Sequence, residues 1–349
     1  MKILENITLA PLTTLGIGGP ARWFVEATSE AEIAEACAWA RERAVPLFVL
    51  GGGSNVLVAD AGFDGLALHI AVKGTEPGGV ELEGEMLCAA AGVPWEHCVQ
   101  QALGANCAGL ECLAGIPGTV GGTPVQNVGA YGQEVASVIE RVRAFDRTTQ
   151  EFVEFTNADC GFSYRKSRFN STDSGRYVVT RVDYRLRRDG VPALVYADLK
   201  THFSGWKKTP SLTEVAAAVR EIRQSKGMLL IEGDPDCRSA GSFFKNPSVK
   251  PEVAERVTQI AASSGLTLRM FPAEGGMVKI SAAWLIEQAG FHKGYALGAV
   301  GISSKHTLAL VNRGGATAEE IVTLAEKIRA AVEARFGIRL EMEPERVGF

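Results

Sequence analysis

Three residues of this chain have types that could move a proton and hold an anion. Ser242 lies in Ala240-Gly241-Ser242-Phe243-Phe244-Lys245-Asn246-Pro247, where small, aromatic, cationic and amide residues crowd together. A hydroxyl both donates and accepts, so it can relay a proton if a partner adjusts its acidity; taken alone, such a serine reads as structural. Arg165, in Phe162-Ser163-Tyr164-Arg165-Lys166-Ser167 with Arg168 nearby, is either a surface charge or a bidentate holder of a carboxylate. Glu345, in Glu343-Pro344-Glu345, by itself reads as a solvated tail residue.

Two glycine-rich stretches could receive a ligand. In Gly51-Gly52-Gly53-Ser54-Asn55, successive glycines can turn backbone N–H groups toward a phosphate, and Ser54 and Asn55 add side-chain donors. Gly109 to Glu134, GLECLAGIPGTVGGTPVQNVGAYGQE, is long, low in charge and rich in glycine, so it should wrap something rather than merely connect. Neither stretch carries the lysine of a phosphate-binding P-loop, and no G-x-S-x-G elbow of a serine hydrolase occurs. Gly16-Ile17-Gly18-Gly19-Pro20-Ala21 has the spelling of a dinucleotide fingerprint, but no strand precedes it and Pro20 interrupts it.

The elements that must position these residues can be read from patterning. Ser29 to Glu32 is a capping box ahead of a helix ending near Ala44. VPLFVL (45–50), VLVA (56–59) and GLALHI (65–70) read as strands, so the 51–55 loop is not a strand-to-helix turn. From 71 to 210 strands dominate. In RYVVTRVDYRLRR, Val178, Thr180, Val182, Tyr184 and Leu186 alternate with Arg181, Asp183 and Arg185, which is the period of a half-buried strand. Pro94 is expected at the first position of the helix WEHCVQQALG. From 211 onward helices return. Ser211 to Glu214 and Thr317 to Glu320 are capping boxes, Pro251 opens VAERVTQIAASSG, Ser281 caps AAWLIEQAG, and Gly227 and Gly337 follow helices as stop signals.

Composition bounds the function classes. The 349 residues are 46% hydrophobic and 22% charged, as in a globular protein of two or three domains. A net charge of −4 argues against a general nucleic-acid binder. The seven cysteines are odd in number with no C-x-x-C pair, and the five histidines are scattered, so neither a disulfide framework nor a metal site is expected. No apolar run reaches the length of a membrane span, and the first residues carry polar breaks where a signal peptide needs an apolar core, so a cytoplasmic protein is expected.

Six segments together carry a resemblance. They are Leu50-Gly51-Gly52-Gly53-Ser54-Asn55-Val56-Leu57, Ile116-Pro117-Gly118-Thr119-Val120-Gly121-Gly122, Gln126-Asn127-Val128-Gly129-Ala130-Tyr131-Gly132, Tyr164-Arg165-Lys166-Ser167, Gly241-Ser242-Phe243-Phe244-Lys245-Asn246-Pro247 and Pro344-Glu345. In that order they resemble the UDP-N-acetylenolpyruvoylglucosamine reductases of bacterial peptidoglycan synthesis, from about Leu12 to the C-terminus. The resemblance implies an α+β fold: a two-part FAD-binding module of the vanillyl-alcohol-oxidase type (1–70 and 71–210) and a C-terminal α+β substrate-binding domain (211–349). It implies non-covalent FAD on Gly51, Gly52, Gly53, Ser54, Asn55, Ile116, Pro117, Gly118, Gly121, Gly122, Gly129 and Tyr131, with NADPH as reductant. The substrate would be UDP-N-acetylglucosamine enolpyruvate, taking hydride from flavin N5 on its vinyl carbon.

Arg165 resembles the family arginine that stabilises the resulting anion, Glu345 the acid on the opposite side, and Ser242 the proton donor to carbon. Tyr131, Tyr164, Tyr196, Lys226 and Asn246 resemble substrate-binding residues, Tyr196 that of the family's type I members. A monomer with no nucleic-acid or membrane partner is expected. The chain departs from the family in Lys226-Gly227-Met228, where Lys-Leu-Pro is common, in a longer stretch before the serine motif, and in Arg346 directly after Glu345. Two other readings are a flavin oxidase of the same superfamily, which the lack of His in either glycine-rich loop disfavours if the flavin is covalent, and a nucleotide-sugar-binding protein without turnover.

Overall fold

Each helix start seen in the sequence forms with local chemistry that the side chains dictate. The computed structural model describes residues 1–74, 79–263, 265–268 and 270–349; Ser264, in the expected run VAERVTQIAASSG, lies outside them. The chain divides into two units. The first contains Met1–Thr8, Pro20–Gly53 and Gly62–Ser225, and the second Leu9–Gly19, Ser54–Ala61 and Lys226–Phe349.

Among the described residues the first unit holds two larger sheets, beside two short two-stranded pairings at 129–130 with 133–134 and 107–108 with 187–188. In one larger sheet, strand 20–27 pairs antiparallel with 4–8 and parallel with 63–70, which in turn pairs parallel with 47–50. Helix α1 (Glu30–Glu42) connects strands 20–27 and 47–50 and buries Ile33, Ala36, Cys37 and Ala40. Its cap differs slightly from the expected box. Ser29 Oγ accepts from Glu32 N–H, but the Glu32 carboxylate reaches past Ser29 to the N–H and hydroxyl of Thr28.

The other larger sheet runs 151–156, 139–146, 177–185, 86–90, 80–83, all antiparallel. Val178, Thr180, Val182 and Tyr184 are buried as their alternation requires, while Arg181 pairs with Asp183 and Arg185 with Glu140 on the other side. Helix α2 (Trp95–Gly104) lies after strand 86–90. Pro94 is its N-cap and not its first turn, with ψ of 130°. The reason is tertiary: Pro94 bridges Thr119, and Trp95 N–H donates to Gly118 O at 3.0 Å, so this segment stays extended beside the second glycine-rich loop. Helices α3 (Ala197–His202) and α4 (Leu212–Ser225) follow, the latter opened by the reciprocal Ser211–Glu214 box. One core fills this unit, around Trp95, Tyr184, Phe145 and Leu66.

The second unit is built from both ends of the chain. Helices α5 (Pro251–Ser263), α6 (Ala282–Gln288) and α7 (Ala318–Phe336) pack with short antiparallel strands at 248–249, 278–280 and 270–272, and at 296–297, 300–302 and 310–312. Thr317 and Glu320 cap α7 reciprocally, and Gly337, at φ +66°, ends it in the left-handed conformation that glycine adopts without strain. Strand 345–347 pairs parallel with 56–58. Asp60 receives the N–H groups of Ala318 and Glu319 at 2.7 and 3.1 Å, and Asn312 donates to Leu15 O at 3.0 Å, so the early segments are part of this core. Among the described residues, no helix is long and apolar enough to cross a membrane.

Candidate active site

The glycine-rich loops of the first unit meet backbone to backbone. A Cβ on Gly52 would lie 2.6 Å from Gly118 Cα, and one on Gly51 would lie 3.0 Å from Thr119 Oγ1. The 118–121 loop is fixed along residues 91–95: besides the Trp95–Gly118 bond, Val120 N–H donates to Val93 O and Gly121 N–H to Ala91 O, each at 2.9 Å. Ile116, Pro117, Gly118, Gly121, Gly122 and Gly129 are half-buried. The result is an uncharged wall with no side-chain bulk at 51–53 and at 118. Such a cradle fits a flat ring or a diphosphate, and therefore FAD.

Arg165 stands in a tight turn closed by reciprocal Ser163–Lys166 backbone bonds of 3.0 Å. Its φ of +57° is uncommon for a non-glycine residue. Its Nη2 donates to Gly129 O at 2.8 Å, its guanidinium lies over the Tyr164 ring at 5.3 Å, and Asn170 Nδ2 holds its carbonyl at 3.1 Å. Buried Asn127 joins the loops. Its Nδ2 donates to Glu134 and to Ser163 O, and its Oδ1 accepts from Ala136 N–H. The 126–134 and 163–167 segments are therefore one hydrogen-bonded body carrying Gly129, Tyr131, Tyr164 and Arg165. Tyr131, itself at φ +49°, meets the half-exposed ring of Tyr196 edge to face at 5.3 Å.

Sequence reasoning missed Arg223. It is buried on α4, its Nε donates to Gly115 O at 3.1 Å, and it hydrogen-bonds Tyr131. Burial pulls its guanidinium below the ordinary 12.5, and the Tyr131 and Glu96 side chains oppose that. Glu96 accepts from Gly115 N–H at 2.7 Å and pairs with Arg220, so α2 and α4 clamp the start of the loop. The signal was available: Arg223 continues the buried stripe Leu212, Val215, Ala216, Val219 at helical spacing.

In the second unit the serine motif is the middle of three stitched segments. Phe243 N–H donates to Leu308 O at 2.7 Å, and Phe243 O accepts from Glu343 N–H at 2.9 Å. Phe243 and Phe244 are both fully buried and leave Ser242 half-buried between Gly241 and the core. Asn55 Nδ2 donates to Glu343 O at 3.2 Å and Asn55 O accepts from Glu345 N–H at 3.0 Å. The serine motif and Asn55 are thus both bonded to the 341–345 segment, Asn55 just before strand 56–58 and Glu345 at the start of strand 345–347. Ser54 and Asn55 belong with this unit, while Gly51 to Gly53 belong with the first.

Glu345 keeps solvent-exposed surface, yet burial pushes its carboxyl above the ordinary 4.5. Water reaching the residue screens the charged form and keeps this effect small. Asn246 Oδ1 accepts from Ala282 N–H at 2.9 Å, which fixes the start of α6. Lys226 is half-buried at the start of the unit, followed by Gly227 packed against the Asp236 side chain. Of the catalytic candidates, Arg165 lies in the first unit and Ser242 and Glu345 in the second.

The second unit carries a hydroxyl and a carboxyl of raised pKa, groups able to give a proton, and the first carries a fixed guanidinium, a group able to hold a carboxylate. Known proteins connect that chemistry to a family. The chain is 47% identical to the UDP-N-acetylenolpyruvoylglucosamine reductase of Streptomyces coelicolor, over 99% of this chain and 90% of that protein. It is 43% identical to the protein of the same name from Thermobifida fusca, over 99% and 98%. The chain belongs to the UDP-N-acetylenolpyruvoylglucosamine reductase family. Residues 234–347 match the C-terminal domain of these reductases, and residues 21–154 match an FAD-binding domain. The solved UDP-N-acetylenolpyruvylglucosamine reductase of Thermus caldophilus superposes with a TM-score of 0.69 at 28% identity, covering 99% of both chains. The expected α+β fold and an oxidoreductase built on an FAD-binding domain follow from this membership.

Proposed function

We propose that this reductase converts UDP-N-acetylglucosamine enolpyruvate to UDP-N-acetylmuramate for peptidoglycan precursors, with NADPH as reductant, in the cytoplasm and as a monomer with no nucleic-acid or membrane partner. The observation that carries the reading is the bonding of both the serine motif and Asn55 to the 341–345 segment, which brings Glu345 into the same hydrogen-bonded set. The expected three-part division, with boundaries near 70 and 210, belongs to the same proposal.

FAD, held non-covalently by the 51–55 and 116–131 segments, supplies the hydride when bound. The reaction adds that hydride to the vinyl CH2 carbon and a proton to the neighbouring carbon, and NADPH and a proton are consumed. Charge moves toward the pyruvyl carboxylate as hydride adds. Arg165 holds that carboxylate, since a guanidinium is a permanent cation with a planar fork of donors. Ser242 Oγ gives its proton to carbon, and Glu345 stabilises the anion from the other side. Tyr131, Tyr164, Tyr196, Lys226 and Asn246 bind the nucleotide sugar.

The test is anaerobic. NADPH should bleach the flavin and UDP-N-acetylglucosamine enolpyruvate should restore its colour, and acid precipitation should leave a yellow supernatant. Colour that returns only with oxygen would favour an oxidase. A colourless protein that binds the nucleotide sugar would favour a binding protein without turnover.

A further inference from the structure

Glu111 is a carboxylate with no solvent exposure. Three neutral donors converge on it. Gly109 N–H reaches Oε2 at 2.8 Å, while Gln133 Nε2 and Ala193 N–H reach Oε1 at 2.6 and 3.0 Å. A buried carboxylate is costly, so its retention calls for a reason. The reason is geometric: a carboxylate only accepts, on two oxygens, whereas a carboxamide would turn an NH2 group against one of these donors.

The next residue grips the same two places. Cys112 N–H donates to Gln133 Oε1 at 2.8 Å, and Cys112 Sγ donates to Ala193 O at 3.3 Å. Gln133 lies two residues after Tyr131, and Ala193 lies three before Tyr196. Between Ala193 and Tyr196 the chain forms no helix or strand, and Val195 and Tyr196 are exposed. Its alignment with the Tyr131 loop rests on this grip at Ala193, on the Tyr131–Tyr196 ring contact, and on the close approach of Val195 to Gly132.

We propose that Glu111 is a positioning residue that fastens the Tyr196 segment to the Tyr131 loop and so sets affinity for the nucleotide-sugar substrate. The inference rests on the reading above that Tyr196 binds substrate.

The experiment uses the full-length, FAD-loaded protein and measures FAD content, the rate of flavin reduction by NADPH, kcat, and KM for UDP-N-acetylglucosamine enolpyruvate. Glu111→Gln should raise that KM by about tenfold or more, the size of a lost hydrogen bond to a charged group. Flavin reduction by NADPH should stay within about twofold of wild type. In Glu111→Gln/Gln133→Glu, the new amide donates to the new carboxylate, which restores the 111–133 bond but still leaves Ala193 N–H facing an NH2 group. FAD content should then recover while KM stays raised. Ala193→Pro removes that N–H while leaving Glu111 in place, although it also fixes φ at 193, and should raise KM on its own even if Glu111→Gln does not fold.

A double variant that restores KM along with FAD content would overturn the proposal, because Glu111 would then only hold the flavin loop. So would Glu111→Gln and Ala193→Pro both keeping the wild-type KM while Tyr196→Phe raises it. If Tyr196→Phe itself leaves KM unchanged, the substrate role of Tyr196 falls and this inference falls with it.

Discussion

Replacing Gly52 with alanine tests the proposal that the two glycine-rich loops together hold the flavin. The new Cβ would sit 2.6 Å from Gly118 Cα, 2.9 Å from Gly118 C and 3.2 Å from Thr119 N. All three are backbone atoms, and carbon atoms in good contact are about 3.5–4.0 Å apart. The loops must therefore open by about 1 Å. They resist, because Gly118 O is held by Trp95 N–H and Gly118, at φ +125°, occupies a conformation other residues rarely adopt. Overpacking of this kind costs about 1–3 kcal/mol. Shared between the empty protein and its complex, that is a combined loss of roughly 5- to 150-fold in folding equilibrium and FAD affinity. The assay is FAD titration of the stripped protein by flavin fluorescence, with denaturant unfolding of the same preparation. Gly104→Ala is the control: its Cβ would meet nothing within 4 Å, so FAD affinity should hold. If Gly52→Ala kept both wild-type FAD affinity and wild-type stability, the close approach of the loops would not matter to the site and the argument would be wrong.

Three further outcomes follow from the same structure. Ser242→Ala should slow reoxidation of reduced flavin by substrate at least about 100-fold while NADPH reduces it normally, and Ser242→Cys should recover part of the rate; stopped-flow absorbance separates the two half-reactions, and wild-type reoxidation in the alanine variant would move the proton donor elsewhere. Glu345 has a folded pKa raised above 4.5, so its contribution to stability is full below that pH and is lost as pH rises through the folded value. Glu345→Gln should then melt above wild type near pH 7, with the gap closing as pH falls below 4.5, and a gap independent of pH would contradict the burial effect. Arg223→Lys keeps the charge but loses the fork that reaches Gly115 O, and should cost about 1.5–3 kcal/mol in denaturant unfolding; a loss under about 0.5 kcal/mol would mean that Arg223 is not holding the loop.

Local chemistry was legible in the sequence, and long-range pairing was not. The capping serines and threonine at 29, 211, 281 and 317 each start a helix because the orphan N–H groups are satisfied within three residues. Pro94 broke the pattern because its neighbour Trp95 is bonded to Gly118, more than twenty positions away. The same limit hid the role of Leu9–Gly19 and Ser54–Ala61. Nothing in Leu15, Ile17 or Leu57 announces that they pack with Ile321 and Leu324. Glu111 and Arg223 went unremarked, although Glu111 is a charge inside an apolar run and Arg223 falls on the buried stripe of its helix. The residues of the six motifs could be named because their types and order are specific. Partners outside those motifs, such as Glu134 for Asn127, had to be seen in space.

The pairing of strand 345–347 with strand 56–58 bears on how the protein is made. Asn55 and Glu343, joined by a side-chain hydrogen bond, are 288 residues apart. At about 5–20 residues per second, the ribosome finishes the partner of this early strand roughly 15–60 s after laying the strand down. Through that interval residues 9–19 and 54–61 carry Leu15, Ile17 and Leu57, core side chains whose companions do not yet exist. Most of the first unit has meanwhile been synthesised and can condense around its own core. A nascent chain is therefore half-finished in a particular way, with two short apolar segments waiting on residues far downstream. A stop codon or protease cut directly after Pro344 would strip strand 56–58 of its partner, and its damage would be read out in the yield of folded protein as well as in the loss of Glu345.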